Sequence, residues 1–468
     1  MNTKSFDTIT AIATPQGRGS VGIVRISGVD AKSIALKIMG DRWARIESRC
    51  LQPRMMQWTK FYDTKNNIID SGIILFFENP HSFTGEDVIE LHSHGSPFVL
   101  DQLIKVAIDH GARMARPGEF SQRAFLNKKI DLTQAEAIAD LIHANSEQAA
   151  RSAVRSLQGE FSKKINALQQ SLIKLRMQIE AMIDFPEEEI DFLSDQHVHQ
   201  LLQKTIDDVL HVKKQATQGV LLQNGLHVVI VGKPNAGKSS LLNYLSGRES
   251  AIVTEIPGTT RDVLRELIHL DGIPLHIIDT AGLRETVDVV EQEGVRRAIS
   301  EMQKADLILL ITELGIGNQA FENKNSQPVF EFYQQFNLPK EIPVLLIKNK
   351  IDLVDEQPEI MNHDNFLEIK ISIKKNKGMN FLIEAIKKIA GIQPESDNAF
   401  IARRRHVDAI ERAHAFLLKG QEQLNHFRAG ELLAEDLRLG QQALSEITGE
   451  FSSEDLLGEI FSSFCIGK

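Results

Sequence analysis

The stretch Gly232-Lys233-Pro234-Asn235-Ala236-Gly237-Lys238-Ser239 has the residue types and spacing that hold a polyphosphate. Gly232 and Gly237 let the backbone curl, so that consecutive N–H groups point inward at β- and γ-phosphates. Lys238 places a point charge on the same phosphates, and the Ser239 hydroxyl can ligate Mg²⁺. A helix that begins there aims its positive dipole end at the anion. Taken alone, the pattern also fits a glycine turn ahead of a surface helix. Three further stretches decide between the two.

Asp279-Thr280-Ala281-Gly282 offers a carboxylate that can hold Mg²⁺ through water and a Gly282 N–H for the γ-phosphate. Thr259-Thr260 lies between, where a mobile segment can bring a hydroxyl to the metal. In Asn349-Lys350-Ile351-Asp352, the Asp352 carboxylate can accept from guanine N1–H and the exocyclic amine. Adenine lacks that donor pair and would leave a charged acceptor unmet. Together the four stretches specify a GTPase. Ras-type enzymes orient the attacking water with a glutamine directly after Asp-Thr-Ala-Gly. Here Leu283 stands in that place, so hydrolysis draws on another carboxylate or amide, on a cation, or on a partner.

Strands must stand behind these loops. The apolar runs Leu226–Val231, Leu275–Ile278, Leu307–Ile311, Pro343–Ile347 and Phe366–Ile371 read as buried strands with helical patterns between them. They make a self-contained α/β unit over residues 226–391. Helical periodicity flanks it on both sides. Phe161, Ile165, Leu168, Leu172, Leu175, Ile179 and Met182 form one apolar stripe, which Pro186 and Glu187-Glu188-Glu189 interrupt. A second helix is expected over Gln200–Thr217, and helices resume at Arg403 after the linker Gln393–Ser396. An α/β unit inserted into one helical domain accounts for this order.

Residues 1–129 have a mixed pattern and read as an α+β domain. Strands are expected at Thr8–Ala13, Val21–Ile26, Ile73–Phe77 and Asp87–Leu91, and a helix at Pro97–His110. Arg25, Glu90, His92 and His94 stand near strand ends and can line a pocket, although solvated surface is the simpler reading.

A chain of 468 residues exceeds one core and suggests about three domains. Its net charge of −10 excludes a general nucleic-acid coat, so any RNA contact needs a local basic patch. Two cysteines, Cys50 and Cys465, exclude a disulfide framework and point to a reducing compartment. With no signal-type leader and no apolar run approaching a membrane span, the expectation is a cytoplasmic protein without a membrane partner.

Several stretches together closely resemble the MnmE (TrmE) family of bacterial GTPases, which modify the wobble uridine of certain tRNAs. They are the phosphate loop, Gly258-Thr259-Thr260-Arg261-Asp262, Asp279-Thr280-Ala281-Gly282-Leu283-Arg284 and the terminal Phe464-Cys465-Ile466-Gly467-Lys468. Ser82-Phe83-Thr84-Gly85-Glu86-Asp87 and Arg116-Pro117-Gly118-Glu119-Phe120 extend the resemblance over essentially the whole length.

The resemblance implies a multidomain α/β protein. Residues 1–129 would be a tetrahydrofolate-binding-like and dimerisation domain. Residues 130–222 and 393–468 would form a discontinuous helical domain, and 223–392 an inserted Ras-like G domain. It further implies GTP with Mg²⁺ and K⁺, and a 5-formyl- or methylene-tetrahydrofolate as one-carbon source. The partners would be tRNA, a second copy of the chain, and an MnmG-like protein that carries FAD and completes a heterotetramer. The product would carry a carboxymethylaminomethyl or aminomethyl group at uridine C5.

Residue by residue, the family's folate contacts match Arg25, Glu90, Lys129 and Lys468. Its potassium ligands match Asn235, Thr254, Ile256 and Thr259, and its Mg²⁺ ligands Ser239 and Thr260. Nucleotide contacts fall on Asn235, Ala236, Gly237, Lys238, Ser239 and Ser240 and on Thr254, Glu255, Ile256, Pro257, Gly258, Thr259 and Thr260. They continue at Asp279, Thr280, Ala281 and Gly282, at Asn349, Lys350 and Asp352, and at Ser372, Ile373 and Lys374. Glu291 matches the carboxylate that orients water, and Arg261 and Arg284 match switch arginines that act with Lys238 in catalysis. Ser372-Ile373-Lys374 departs from the commoner Ser-Ala-Lys, yet isoleucine keeps the backbone N–H expected at guanine O6. Asp184-Phe185-Pro186-Glu187 also looks like the family's sequence and reads only as a helix break. A ribosome-assembly GTPase would typically carry a recognisable RNA-binding module, and a folate scaffold would use GTP only to control docking; both are weaker readings.

Overall fold

A computed structural model describes residues 7–40, 51–144, 146–184, 196–247, 265–270, 273–279, 296, 299–314, 327–340, 342–363, 366–389, 400–427, 430–450, 454–462, 464 and 467. The chain divides into two compact units, Met1–Ile142 with Ser156–Thr205 and Arg412–Lys468, and His143–Arg155 with Ile206–Glu411.

The first unit opens with β1 (Ile9–Ile12), β2 (Gly19–Ser27), α1 (Ala31–Ile38), β3 (Gln57–Tyr62), β4 (Ile68–Phe77) and β5 (Val88–Gly95), followed by α2 (Pro97–Asp109), β6 (Arg113–Met114) and α3 (Glu119–Leu126). Its sheet runs β3-β4-β5-β2-β1-β6, antiparallel except for the β1–β6 pair. Side chains alternate across a pleated strand, so each strand feeds two faces. Val24, Ile26, Ile74, Phe76, Ile89 and Leu91 pack on one face against Ile34 and Ile38 of α1 and Leu100 and Leu103 of α2. Ile23, Arg25, Ile73, Leu75, Glu90 and His92 stand half-buried on the other. The four strands and the helix expected here are present. α1, β3, β6 and α3 were not expected.

Four helices follow: α4 (Leu132–Ile142), α5 (Glu147–Leu157), α6 (Glu160–Asp184) and α7 (Gln196–Asn224). Asp131 opens α4 with a reciprocal cap. Its carboxylate accepts from the Gln134 N–H at 2.9 Å while Gln134 Oε1 accepts from the Asp131 N–H at 3.0 Å. The predicted stripe becomes the buried side of α6, from Phe161 to Ile179. α7 exceeds the expected Gln200–Thr217 at both ends. The break at Pro186 and the linker Gln393–Ser396 lie outside the described residues.

The second unit holds β7 (Leu226–Gly232), α8 (Lys238–Ser246), β8 (Arg265–Leu270), β9 (Ile273–Asp279), β10 (Leu307–Glu313), α9 (Gln327–Gln335), β11 (Val344–Asn349), β12 (Glu359–Asn362), β13 (Leu367–Lys370) and α10 (Met379–Ile389). Its sheet order is β12-β13-β11-β10-β7-β9-β8. The five inner strands are parallel, and β8 and β12 pair antiparallel at the edges. Val228 and Ile230 pack against Leu241 and Leu245 of α8 and Leu382 and Ile386 of α10. Val229 and Val231 pack on the other face with Phe332 of α9. Strands covered on both faces are nearly all apolar, and all five were expected. After β7 the chain builds β8 and β9 on one side and the remaining strands on the other. The crevice at the carboxyl end of β7 is therefore a topological switch point, where such sheets bind ligands.

The chain closes with α11 (Arg404–Glu422), a π-helical stretch at Gln423–Phe427, α12 (Gly430–Thr448) and α13 (Glu454–Ser462). α12 lies along α6, where Gln169 Nε2 donates to Ser445 Oγ at 3.0 Å and Arg176 Nη1 donates to Gln441 Oε1 at 2.9 Å. Ile460 and Phe461 of α13, with Phe464, pack on Leu132, Ala135 and Ala139 of α4, joining the two sequence halves of the helical layer.

Candidate nucleotide site and N-terminal groove

β7 delivers the chain to the phosphate loop, and α8 opens at Lys238 directly after it. The two glycines have different tasks. Gly237 has φ +110°, a left-handed conformation, and a Cβ there would lie 2.3 Å from Asn349 Nδ2. Gly232 is not left-handed; it is required because a Cβ would stand 2.4 Å from the Ile311 carbonyl oxygen of β10. The backbone curl expected of both comes instead from Gly237 and Asn235, whose φ is +63°. Lys238 Nζ folds back over the loop and donates to the carbonyl oxygens of Gly232 at 2.8 Å and Lys233 at 3.1 Å. Ser239 and Ser240 are exposed in the first turn of α8, and Asn235 is exposed in the loop. An ammonium poised over a loop at a helix N-terminus, with an open hydroxyl beside it, is a donor set that fits a phosphate–Mg²⁺ pair.

At the far side of the crevice, the buried Asn349 ties three segments together. Its Nδ2 donates to the Ala236 carbonyl at 2.8 Å, and its Oδ1 accepts from the Ile373 N–H at 3.2 Å. The amide expected at guanine O6 is thus held toward Asn349. Asp352 lies in a 3₁₀ turn, Ile351–Leu353, and accepts from the Ser372 hydroxyl. That bond holds the Asp352 carboxyl below the usual range, against a smaller opposing effect of burial and with help from the Lys374 and Lys375 charges. Asp352 is therefore an acceptor-only carboxylate at neutral pH, as recognition of a paired N–H edge requires. Lys350 adopts φ +69° and its Nζ lies 2.7 Å from Glu313 Oε1 at the end of β10.

Asp279 ends β9 in register with Ile230 of β7, close to the phosphate loop along the sheet. Thr254, Glu255, Ile256, Pro257, Gly258, Thr259, Thr260, Arg261, Thr280, Ala281, Gly282, Arg284, Glu291 and Lys468 lie outside the described residues.

In the first unit, β2 and β5 place Arg25 directly opposite Glu90. Arg25 Nε and Nη2 both donate to Glu90 Oε1, at 3.0 and 2.8 Å, and His92 Nε2 stands 3.2 Å from Glu90 Oε2. Arg25 Nη1 donates to the Gly467 carbonyl at 3.3 Å, and the guanidinium lies 5.7 Å over the Phe120 ring. Gly467 has φ +97°, and a Cβ there would sit 2.1 Å from the Ile12 carbonyl oxygen, so only glycine docks at this point. A ring with a polar edge would find Ile23, Ile73 and Leu75 as an apolar bed and the Arg25–Glu90 pair at its border, so these residues fit a pterin. Lys129 makes a separate contact, donating from Nζ to the Pro80 carbonyl at 2.8 Å. His94 is also apart: it is 72% exposed and pairs with Asp70. Sequence grouping of His94 with Arg25 and Glu90 is therefore not realised, because His94 falls at the irregular step of the β2–β5 ladder and its ring turns to Asp70.

Sequence reasoning did not find the charge cluster beneath this groove. Arg123 of α3 is fully buried and donates to Glu86, to Glu119 and to both the backbone and side chain of Asp7. Arg113 bridges Asp7 and Glu119 from the other side. The Ser82–Asp87 and Arg116–Phe120 stretches thus meet at one guanidinium. Burial opposes ionisation of Glu119, but bonds from Arg113, the Arg116 N–H and Arg123 outweigh it and hold the carboxyl at about 2.

Residues 8–129 match the family model described as the GTP-binding protein TrmE N-terminus, and residues 132–465 match the MnmE helical domain. The chain is 56% identical over 464 residues to the tRNA modification GTPase MnmE of Legionella pneumophila (strain Philadelphia 1), covering 99% of this chain and 100% of that protein. It is 55% identical over 463 residues to the MnmE of Coxiella burnetii (strain RSA 493), covering 99% of each. It is 53% identical over 468 residues to that of Hydrogenovibrio crunogenus, covering 100% of each. Among the described residues, no helix is long and apolar enough to cross a membrane.

Proposed function

Because this chain belongs to the MnmE family, we propose that its GTPase cycle drives addition of a carboxymethylaminomethyl or aminomethyl group at C5 of the wobble uridine in certain tRNAs. It is a tRNA modification GTPase, and in this reading GTP binds with Mg²⁺. One observation carries the nucleotide reading: Asn349 clips the phosphate loop at Ala236 to the Ile373 loop, beside an ionised Asp352. Phosphate and guanine recognition are thereby joined in a single crevice.

In this reading residues 1–129 are the folate-binding and dimerisation domain, 130–222 and 393–468 the helical domain, and 223–392 the G domain. Lys238 and the amides of the loop from Asn235 to Ser240 hold the phosphates, and Ser239 and Thr260 hold Mg²⁺. The Thr254–Thr260 segment, including Glu255, Pro257 and Gly258, closes over them; Asp279 holds Mg²⁺ through water and the Gly282 N–H meets the γ-phosphate, with Thr280 and Ala281 between. Glu291 aligns the attacking water that Leu283 cannot, and Arg261 and Arg284 support the switch. Asn235, Thr254, Ile256 and Thr259 form a potassium site; the exposed, left-handed Asn235 leaves its amide oxygen open for this. Potassium there would supply positive charge against the charge that develops during transfer.

Arg25, Glu90, Lys129 and Lys468 hold a 5-formyl- or methylene-tetrahydrofolate, with Glu90 meeting the pterin and the cations meeting the glutamate tail. That folate supplies the one-carbon unit. A second copy of the chain and an MnmG-like FAD protein complete a heterotetramer that acts on tRNA, with glycine or ammonium as the amine source. The experiment compares GTP turnover and G-domain association, with a transition-state mimic bound, in potassium and in sodium at equal ionic strength. Potassium is expected to raise both, and Asn235→Ala to abolish the difference. Equal behaviour in the two salts would remove the cation from the account.

A further inference from the structure

Arg25 meets Glu90 in an unusual way: both of its bonds fall on one oxygen, Oε1. A guanidinium that bridged both carboxylate oxygens would fix the carboxylate plane by itself. A fork on one oxygen fixes a point and leaves the group free to turn about it. The second point comes from His92 Nε2, 3.2 Å from Oε2.

The sheet leaves no substitute for His92. Two residues after Glu90 on β5, it projects from the same face. Opposite the pair on β4 stand Leu75 and Ile73, and on β2 stand Arg25 and Ile23. Apart from Arg25, these neighbours carry no side-chain donor. Glu90 and His92 retain 15% and 24% of their exposure, so a ligand can reach them from the groove.

We propose that His92 is a positioning residue of this groove: it holds the Glu90 carboxylate in one plane, so that the remaining lone pair on Oε2 faces an N–H donor on a ligand edge. A reduced pterin, with its ring N–H beside an exocyclic amine, presents that edge. The inference rests on the folate reading of the same groove and adds to it the residue that sets its geometry.

The test is calorimetric titration of the full-length protein with 5-formyltetrahydrofolate, for the unaltered chain, His92→Ala and His92→Gln. His92→Ala is expected to weaken binding about tenfold or more, the scale of one hydrogen bond to a charged group. His92→Gln keeps an N–H donor and is expected to recover affinity to within about twofold. GTP turnover, which resides in the other unit, serves as the control for folding and should be equal in all three. If the unaltered chain fails to bind the folate, the folate reading falls and this inference with it. Binding by the unaltered chain with no loss in His92→Ala, or with no recovery in His92→Gln, overturns the inference alone.

Discussion

The two sheets carry their sites in opposite ways. In the parallel sheet of the second unit, the candidate groups sit at the carboxyl ends of strands, in short continuous segments such as Asn349-Lys350-Ile351-Asp352. In the antiparallel sheet of the first unit, the groove lies on a sheet face and is assembled from Arg25, Glu90 and Gly467, which are 65 and 442 positions apart from Arg25. Parallel strands joined by crossovers send successive loops to one edge, where each loop can hold one part of a ligand. A mainly antiparallel sheet sends its connections to both ends, and here the paired charges stand on its face. Function in the second unit should therefore be separable segment by segment. Function in the first should depend on the packing that holds the face in place.

The largest separable effect is expected at Asp352. Asp352→Asn replaces an acceptor by a group that can donate, so affinity for GTP should fall about a hundredfold or more while xanthosine triphosphate gains. A competition binding assay reads the exchange, and unchanged guanine selectivity would detach Asp352 from the base. Glu291→Ala is expected to lower turnover about a hundredfold with little change in GTP affinity, the mark of an interaction made only in the transition state. Comparable losses in both would give Glu291 a structural role and blur the segment-by-segment picture.

The smallest effect sharpens the other side of the comparison, because it is one of stability. Folded, Glu119 has its carboxyl at about 2, well below the ordinary unfolded value. A depressed carboxyl stabilises the fold fully above the unfolded value, and the contribution is lost as pH falls toward the folded one. Acid unfolding followed by circular dichroism should show this loss between about pH 4.5 and pH 2. Glu119→Gln should remove that pH dependence and cost about 2 kcal/mol at neutral pH. An unaltered acid transition would show that the cluster does not hold the groove's foundation.

The same contrast explains what the sequence disclosed. All five inner strands of the parallel sheet could be read because burial on both faces makes them apolar runs, such as Leu226-His227-Val228-Val229-Ile230-Val231. The edge strands β8 and β12 carry polar residues in Arg265-Glu266-Leu267-Ile268-His269-Leu270 and Glu359-Ile360-Met361-Asn362 and gave no such signal. The nucleotide residues were legible because each belongs to a local motif. Pairing of Arg25 with Glu90 was visible only as a possibility, and the seat of Gly467 on Ile12 was not visible at all. Register and chain return decide those contacts, and neither leaves a local pattern. Arg123 belongs to no motif in the sequence; only the fold shows that three carboxylates converge on it.

The proposed GTPase crevice and folate groove on one chain would serve the modification of tRNA. Nucleoside mass analysis of tRNA tests this most directly, comparing cells that lack this protein with the same cells after the gene is restored. The C5 carboxymethylaminomethyl or aminomethyl group is expected to disappear from the wobble uridine without the protein and to return with the unaltered chain, but not with Glu291→Ala. Wobble uridines that keep their modification in the absence of the protein would contradict it.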